Sequence, residues 1–241
     1  MKRYTIIYLL LMAAGVNAFG QSDSLTLSGE LGLQGRLQTG NLQQFALNPS
    51  GQLRLNSRRL HAHFQASYQY LNVSNFTIMS DFWSTLLLSH RTSKNVFPAF
   101  ISSYGFAKSY QIDRSLLVSP GLGWNVINDT HKNSLQLYGF AGYLNLKYHE
   151  HVAIETLSFG GLIKASLPLT TNIGIIWTLH TYHPLNNSSL WGFNNLILFQ
   201  YHISPVISLQ ASHNTIYNSE TITDISNTNT VMMFGMAYKS K

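Results

Sequence analysis

Residues 25–55 read LTLSGELGLQGRLQTGNLQQFALNPSGQLRL, and their alternation decides the fold. Every second residue from Leu25 is apolar or small: Leu25, Leu27, Gly29, Leu31, Leu33, Gly35, Leu37. The residues between them, Thr26, Ser28, Glu30, Gly32, Gln34, Arg36 and Gln38, are mostly polar or charged. A period of two means a strand with two unlike faces. Thr39-Gly40-Asn41 follows, and Gly and Asn tolerate the positive φ of a tight hairpin turn. The alternation then resumes, with Phe45, Leu47, Pro49, Gly51, Leu53 and Leu55 against Gln44, Asn48, Ser50, Gln52 and Arg54. Soluble strands are typically about 5–6 residues. These two are about twice that, long enough for the ~9–11 residues of a tilted bilayer crossing.

The pattern repeats to the end of the chain. The third strand sets Leu60, Ala62, Phe64, Ala66, Tyr68 and Tyr70 against His61, His63, Gln65, Ser67 and Gln69. The fourth, from Phe76 to His90, puts Asp81 and Trp83 opposite Phe82, Leu86 and Leu88. The fifth runs from Val96 to Ser109 with weak alternation, and Gln111 to Arg114 reads as the turn after it. In the sixth, Leu116 to Trp124 oppose Ser119, Gly121, Gly123 and Asn125. The seventh assigns Tyr138, Phe140, Leu144, Leu146 and Tyr148 to the lipid face and Gly139, Ala141, Tyr143, Asn145 and Lys147 to the lumen. Five further strands bring the expected count to about 12, an even number as in single-chain outer-membrane barrels. The expected fold is all-β, a transmembrane antiparallel up-and-down barrel. Closure then requires the last strand, Thr230–Tyr238, to lie antiparallel beside Leu25–Leu37, with Phe234 and Tyr238 facing lipid and Met233 opposite the Glu30–Gln34 segment.

Composition agrees with the pattern. A soluble domain carries about 25% charged residues; here 10% are charged while 45% are hydrophobic and 12% aromatic. A membrane barrel needs few charges, because one face meets lipid and the other can hide polar groups inside. Residues 1–20 read as a secretory signal peptide, with Lys2 and Arg3 before the apolar Ile6–Val16 and the small-residue site Val16-Asn17-Ala18. The barrel then occupies residues 21–241. Without Lys2 and Arg3 the 15 basic residues fall to 13 against 9 acidic, a balance of +4. That is too mild to indicate nucleic acid. The chain has no Cys, so disulfides, thiolate metal sites and a Cys nucleophile are excluded.

Several features of residues 31–128 also resemble a known family. These are the Gly-rich first strand leading to Thr39-Gly40-Asn41, the third strand ending in Tyr68 and Tyr70, the aromatic Phe97–Phe106 strand, and Ser119-Pro120-Gly121-Leu122-Gly123-Trp124. Together they resemble the YdiY-like salt-induced outer-membrane proteins. The resemblance implies a Gram-negative outer-membrane location and a role in envelope adaptation to salt or acid, and it supplies no catalytic residues. Outer-membrane barrels also resemble one another in ending on an aromatic residue read by the barrel assembly machinery. Tyr238 takes that place here, with Lys239-Ser240-Lys241 expected as a solvated basic tail.

The candidate lumen-lining residues are Glu30, Arg36, Arg54, His61, His63, Asp81, Lys147 and Lys164. One reading makes them a salt-bridged, hydrogen-bonded plug, since charges in a low-dielectric interior need partners. The other makes them the lining of a narrow conduit for ions or small solutes. His61 and His63 share a face, but a zinc site needs three or four ligands and the sequence assigns no third. His149-Glu150-His151 and His180/His183 read as loop polarity. Ser212-His213-Asn214-Thr215 is the single hint of hydrolysis, because a paired His and hydroxyl can activate a nucleophile. Outer-membrane lipid hydrolases place a Ser where this chain has Thr215. The expectation is a non-enzymatic envelope barrel with no cofactor and no metal, its partners outer-membrane lipids and lipopolysaccharide. A small-solute or lipid channel is the alternative, and a lipid hydrolase the more distant one.

Overall fold

The computed structural model describes residues 25–38, 44–74, 76–90, 95–128, 133–149, 153–186, 189–219 and 227–240. The signal-peptide reading of residues 1–20, the Thr39-Gly40-Asn41 turn, Glu150 and His151 lie outside them. So does the side chain of Arg36, although its backbone is paired with Ala46.

Twelve strands form one closed antiparallel barrel: β1 (Thr26–Gln38), β2 (Gln44–Asn56), β3 (Leu60–Val73), β4 (Phe76–His90), β5 (Val96–Ala107), β6 (Ile112–Asn128), β7 (Ser134–Tyr148), β8 (Ile154–Pro168), β9 (Ile173–Pro184), β10 (Gly192–His202), β11 (Ile207–Asn218) and β12 (Thr228–Ser240). Each strand pairs with its sequence neighbours, and β12 returns to β1. The strands run from 11 residues in β10 to 17 in β6. All reach the length of a tilted bilayer crossing.

The outward face carries an apolar band. Leu31 is 68% exposed, and Leu33, Leu53, Leu122, Leu157, Met232 and Phe234 stand out beside it. Exposed Trp124, Tyr201 and Tyr238 cluster toward the end where β1 begins and β12 ends, and Phe45, Phe76, Tyr104, Tyr143 and Trp191 toward the other. Two aromatic girdles around an apolar band are the pattern of a barrel surface that meets lipid.

The seam pairs Gly29 with Ser240 through to Gly35 with Phe234. Phe234 and Tyr238 face outward as expected, but Met233 falls one residue beyond the Gly35 pair, past the Glu30–Gln34 segment. The basic tail also departs from expectation. Lys239 and Ser240 belong to β12, and the Lys239 N–H donates to the Val206 carbonyl at 2.8 Å. At Gly235 an added Cβ would lie 2.0 Å from the Leu33 carbonyl oxygen, so the strands meet there closer than any side chain allows.

The seventh strand is turned over relative to the sequence reading. Tyr138 and Phe140, each 5% exposed, point inward with Leu144, Leu146 and Tyr148, while Gly139, Ala141 and Tyr143 face outward. Asn145 and Lys147 share that outward face, so Lys147 is not a lumen residue. The reason lies in β6, whose inward positions Gly121 and Gly123 leave room for rings. A Cβ at Gly121 would sit 2.5 Å from Phe140, and one at Gly123 2.3 Å from Phe97. Phe97 meets Tyr138 edge-on at 5.8 Å, and Tyr138 stacks on Phe140 at 5.9 Å. The Pro-Gly-x-Gly segment is thus a recess that an aromatic cluster fills.

The β5–β6 connection differs as well. The fifth strand stops at Ala107, and Lys108–Tyr110 form a 3-10 turn closed by Gln111 in the left-handed conformation, φ 53°. Register shifts at Gly105/Ala107 and Ile112/Arg114 flank the turn. Such irregularities re-aim a chain, and here they send Tyr110 inward, where it is 2% exposed.

Candidate functional site: a two-sided lumen

The lumen holds a cavity of about 310 Å³ whose two walls differ in chemistry. The wall from β1 to β3 presents Glu30, Gln34, Asn48, Gln52, Arg54, His63, Gln65 and Gln69. The wall from β4 to β8 presents mainly Leu87, Ile101, Leu117, Leu144, Leu146 and Leu162.

The polar wall is a connected network. The Glu30 carboxylate accepts Gln52 Nε2 at 2.9 Å, Gln200 Nε2 at 3.1 Å and Gln210 Nε2 at 2.8 Å. Gln52 Oε1 accepts both Arg54 at 3.1 Å and His63 Nε2 at 3.0 Å. His63 Nδ1 lies 2.7 Å from the Lys164 ammonium. An ammonium can only donate, so Nδ1 is the acceptor and Nε2 carries the hydrogen that goes to Gln52. Every bond then points the same way, from Lys164 through His63 and Gln52 to Glu30. The chain links β10 and β11 to β1, β2 and β3, and then crosses the lumen to β8. A second, smaller set joins Gln34 Oε1 to Asn48 Nδ2 at 3.3 Å and to the Ser212 hydroxyl at 2.8 Å.

Glu30, Arg54, His63 and Lys164 therefore meet in one network that lines the cavity. Among the described residues no carboxylate lies within 4.0 Å of Arg54 or Lys164, and the two basic side chains are joined through Gln52 and His63. His61 is bonded instead to Asn56 Oδ1. Asp81 faces inward but is covered: it accepts the Ser109 N–H at 3.1 Å and the Ser109 hydroxyl, and so anchors the 3-10 turn. Gln200, Gln210 and Ser212 extend the network and were missed by attention to charged residues alone. Their inward parity on period-two strands was the available signal.

Toward the end where β1 stops and β2 begins, the lumen is filled by packing. The Tyr110 hydroxyl donates to the Ile216 carbonyl at 3.1 Å, across the barrel. Burial, with the Asp81 carboxylate nearby, pushes the Tyr110 phenol above its ordinary value, so it stays a neutral donor. Leu190, fully buried, joins Tyr110, Tyr148 and Ile216 in the apolar cluster there, with Tyr182 packed against it. The Tyr182 hydroxyl donates to Asn218 Oδ1.

The outward face near the same end carries its own polar cluster. Arg114 Nε donates to Asn145 Oδ1 at 3.1 Å, and Asn145 Nδ2 to Glu155 at 2.6 Å. Lys147 pairs with Asp113 at 4.0 Å, and His149 lies 3.1 Å from the same carboxylate. His180 lines the cavity, whereas His183 packs edge-on to Phe159 at 4.8 Å. His213 and Thr215 lie on the outward face of β11, and the Thr215 hydroxyl is bonded to that of Thr230 at 3.3 Å. Among the described residues no three His, Asp or Glu side chains gather as a metal site would require.

The barrel is similar to that of the NanC porin, with a TM-score of 0.53 and 12% identity over 88% of this chain and 99% of that one. It also matches the translocator domain of the autotransporter NalP from Neisseria meningitidis, at 0.47 and 13% identity, covering 98% and 95% of the two chains. At 12% identity the likeness to the NanC porin is one of fold alone, a closed antiparallel β-barrel. No curated protein matches the chain. Residues 29–239 match the model of the family described as "Protein of unknown function, DUF481", and the chain belongs to that family.

Proposed function

We propose that this protein is a non-enzymatic barrel of the Gram-negative outer membrane whose lumen is bridged, not open. The observation that carries this is the continuous chain from Glu30 through Gln52 and His63 to Lys164, which crosses the lumen. A general-diffusion pore keeps its lumen wet and clear. Here polar groups from both sides of the barrel satisfy one another across it. The outward apolar band and girdles support insertion among outer-membrane lipids. The polar cluster of Asp113, Arg114, Lys147 and Glu155 outside the barrel supports contact with lipopolysaccharide headgroups. The exposed Tyr238 near the end of β12 supports recognition by the barrel assembly machinery, although Lys239 and Ser240 continue the strand beyond it. A stress role in the envelope rests on the sequence resemblance to salt-induced outer-membrane proteins.

A second reading, a narrow conduit for small solutes or lipids, is favoured by the cavity beside the network. Conductance of the refolded barrel in planar bilayers separates the two. The expected result is a closed baseline for the wild type and stepwise openings once Glu30→Ala and Lys164→Ala are combined. Steady ohmic conductance of the wild type would overturn the bridged reading in favour of the conduit.

A further inference from the structure

We infer that the lumen is a binding site for a single-chain anionic amphiphile, its acidic headgroup held between Arg54 and Lys164 and its tail laid along the Leu117–Leu144–Leu146–Leu162 wall. The inference rests on the reading of the lumen as a bridged compartment and names what that compartment takes.

Three observations lead to it. The first is the apolar wall itself. Porin-type lumens are polar because water fills them, yet here large aliphatic side chains from β4 to β8 border a cavity of about 310 Å³. That is near the lower limit of about 300–1,000 Å³ for ligand pockets. It suits one aliphatic chain and not a two-chained lipid.

The second is charge. Buried cations are normally paired with anions. Among the described residues, Arg54 and Lys164 donate to the Gln52 side-chain amide oxygen and the His63 imidazole, both neutral acceptors. Glu30 is engaged by three amide donors and is joined to the cations through Gln52. Two basic side chains that line one cavity and are joined only through neutral partners form a place where an added anion gains charge-assisted hydrogen bonds.

The third is adjacency. Lys164 and Leu162 are successive inward residues of β8, and both line the cavity. The cationic locus therefore sits at the edge of the apolar wall. A ligand that satisfies both must carry its charge at one end of an aliphatic chain. A carboxylate and a phosphate monoester share this chemistry.

The test uses the full barrel in nanodiscs, with Trp124, Trp177 and Trp191 changed to Phe so that only Trp83, which borders the cavity, fluoresces. The probes are 11-bromoundecanoate, 11-bromoundecanol and an 11-bromoundecyl trimethylammonium salt. Saturable quenching by the carboxylate is expected at a concentration at least tenfold below that of the alcohol, with the ammonium weakest. Decyl phosphate and decanoate are then added as competitors, and the stronger one identifies the headgroup. Arg54→Gln with Lys164→Gln should erase the carboxylate's tenfold advantage while leaving quenching by the alcohol in place. Equal, non-saturating quenching by all three probes would overturn the inference. If the double variant fails the heat-modifiability check for folding, the three-probe comparison on the Trp83-only barrel decides alone. Conductance of the same sample keeps the two readings apart. A barrel that binds the carboxylate yet conducts steadily sinks the bridged lumen, and one that stays closed with no preference sinks the amphiphile site.

Discussion

Strands β1–β3 and strands β5–β7 are built on the same period of two, yet they turn opposite kinds of side chain inward. In β1–β3 the inward set is Glu30, Gln34, Asn48, Gln52, Arg54 and His63, bonded to one another and to donors across the lumen. In β5–β7 it is Phe97, Ile101, Leu117, Tyr138, Phe140 and Leu146, packed as in a soluble core. The first region obeys the membrane-barrel rule of polar inside and apolar outside. The second turns mainly apolar side chains both outward and inward, because one face meets lipid and the other meets packed protein. To the backbone ladder that every strand shares, β1–β3 add hydrogen bonds across a cavity and β5–β7 add close packing.

Charge substitution should separate the halves most. Phe140→Arg places an unpaired cation against Tyr138 and Gly121, where burial without a partner costs several kcal/mol. Phe64→Arg, on the lipid face of β3, should cost ~2–4 kcal/mol at most. The folded fraction by heat-modifiable gel mobility should therefore fall further for Phe140→Arg, and equal yields would erase the distinction. Truncation comes next. Leu146→Ala removes a buried side chain from the packed half and should lower unfolding stability by about 2–5 kcal/mol. Leu31→Ala, exposed to lipid, should change it far less. Urea titration in lipid vesicles reads both.

In the hydrogen-bonded half, Glu30→Ala leaves the amides of Gln52, Gln200 and Gln210 without their acceptor. A loss of about 1–3 kcal/mol is expected by the same titration. A null result there would mean that β1–β3 are held by their backbone ladders alone. The smallest effect should come from Tyr110→Phe, which deletes one hydrogen bond and keeps the ring. About 0.5–1.5 kcal/mol is expected, together with faster amide exchange at the β5–β6 connection.

The same contrast explains what could be read from the chain in advance. Alternation in Leu25–Leu55 and Leu60–Tyr70 gave strand, face and register together, because the inward residues there differ in polarity from the outward ones. In β7 both faces carry aromatic or aliphatic residues, so polarity could not orient the strand. The usable signal was size: bulky Tyr138 and Phe140 need a recess, and Gly121 and Gly123 on the neighbouring strand supply it. Asn145 and Lys147 then looked like lumen residues because they were polar, whereas they belong to a surface cluster with Arg114, Asp113 and Glu155. The 3-10 turn was invisible for a different reason. Its inward course depends on Asp81, 28 residues earlier, and on Ile216, 106 residues later. Of the lumen network, the charged members were legible, but their mutual contacts across strands β3 and β8 follow from closure of the barrel.

The Tyr110–Ile216 hydrogen bond also sets an order in time. Tyr110 lies in the connection between β5 and β6, and its acceptor is the carbonyl of a residue in β11, the strand before last. Hairpins form from neighbouring segments, whereas contacts of long sequence separation wait on loop closure. The Asp81–Ser109 anchor can form as soon as β4 and β5 have paired, which holds the turn ready. The bond to Ile216 must wait until the sheet between β6 and β11 has formed and curled round to bring the two opposite each other. Completion of the lumen filling therefore reports that the barrel is nearly finished: a growing sheet has the turn docked on one side, and a barrel approaching closure has it latched on both.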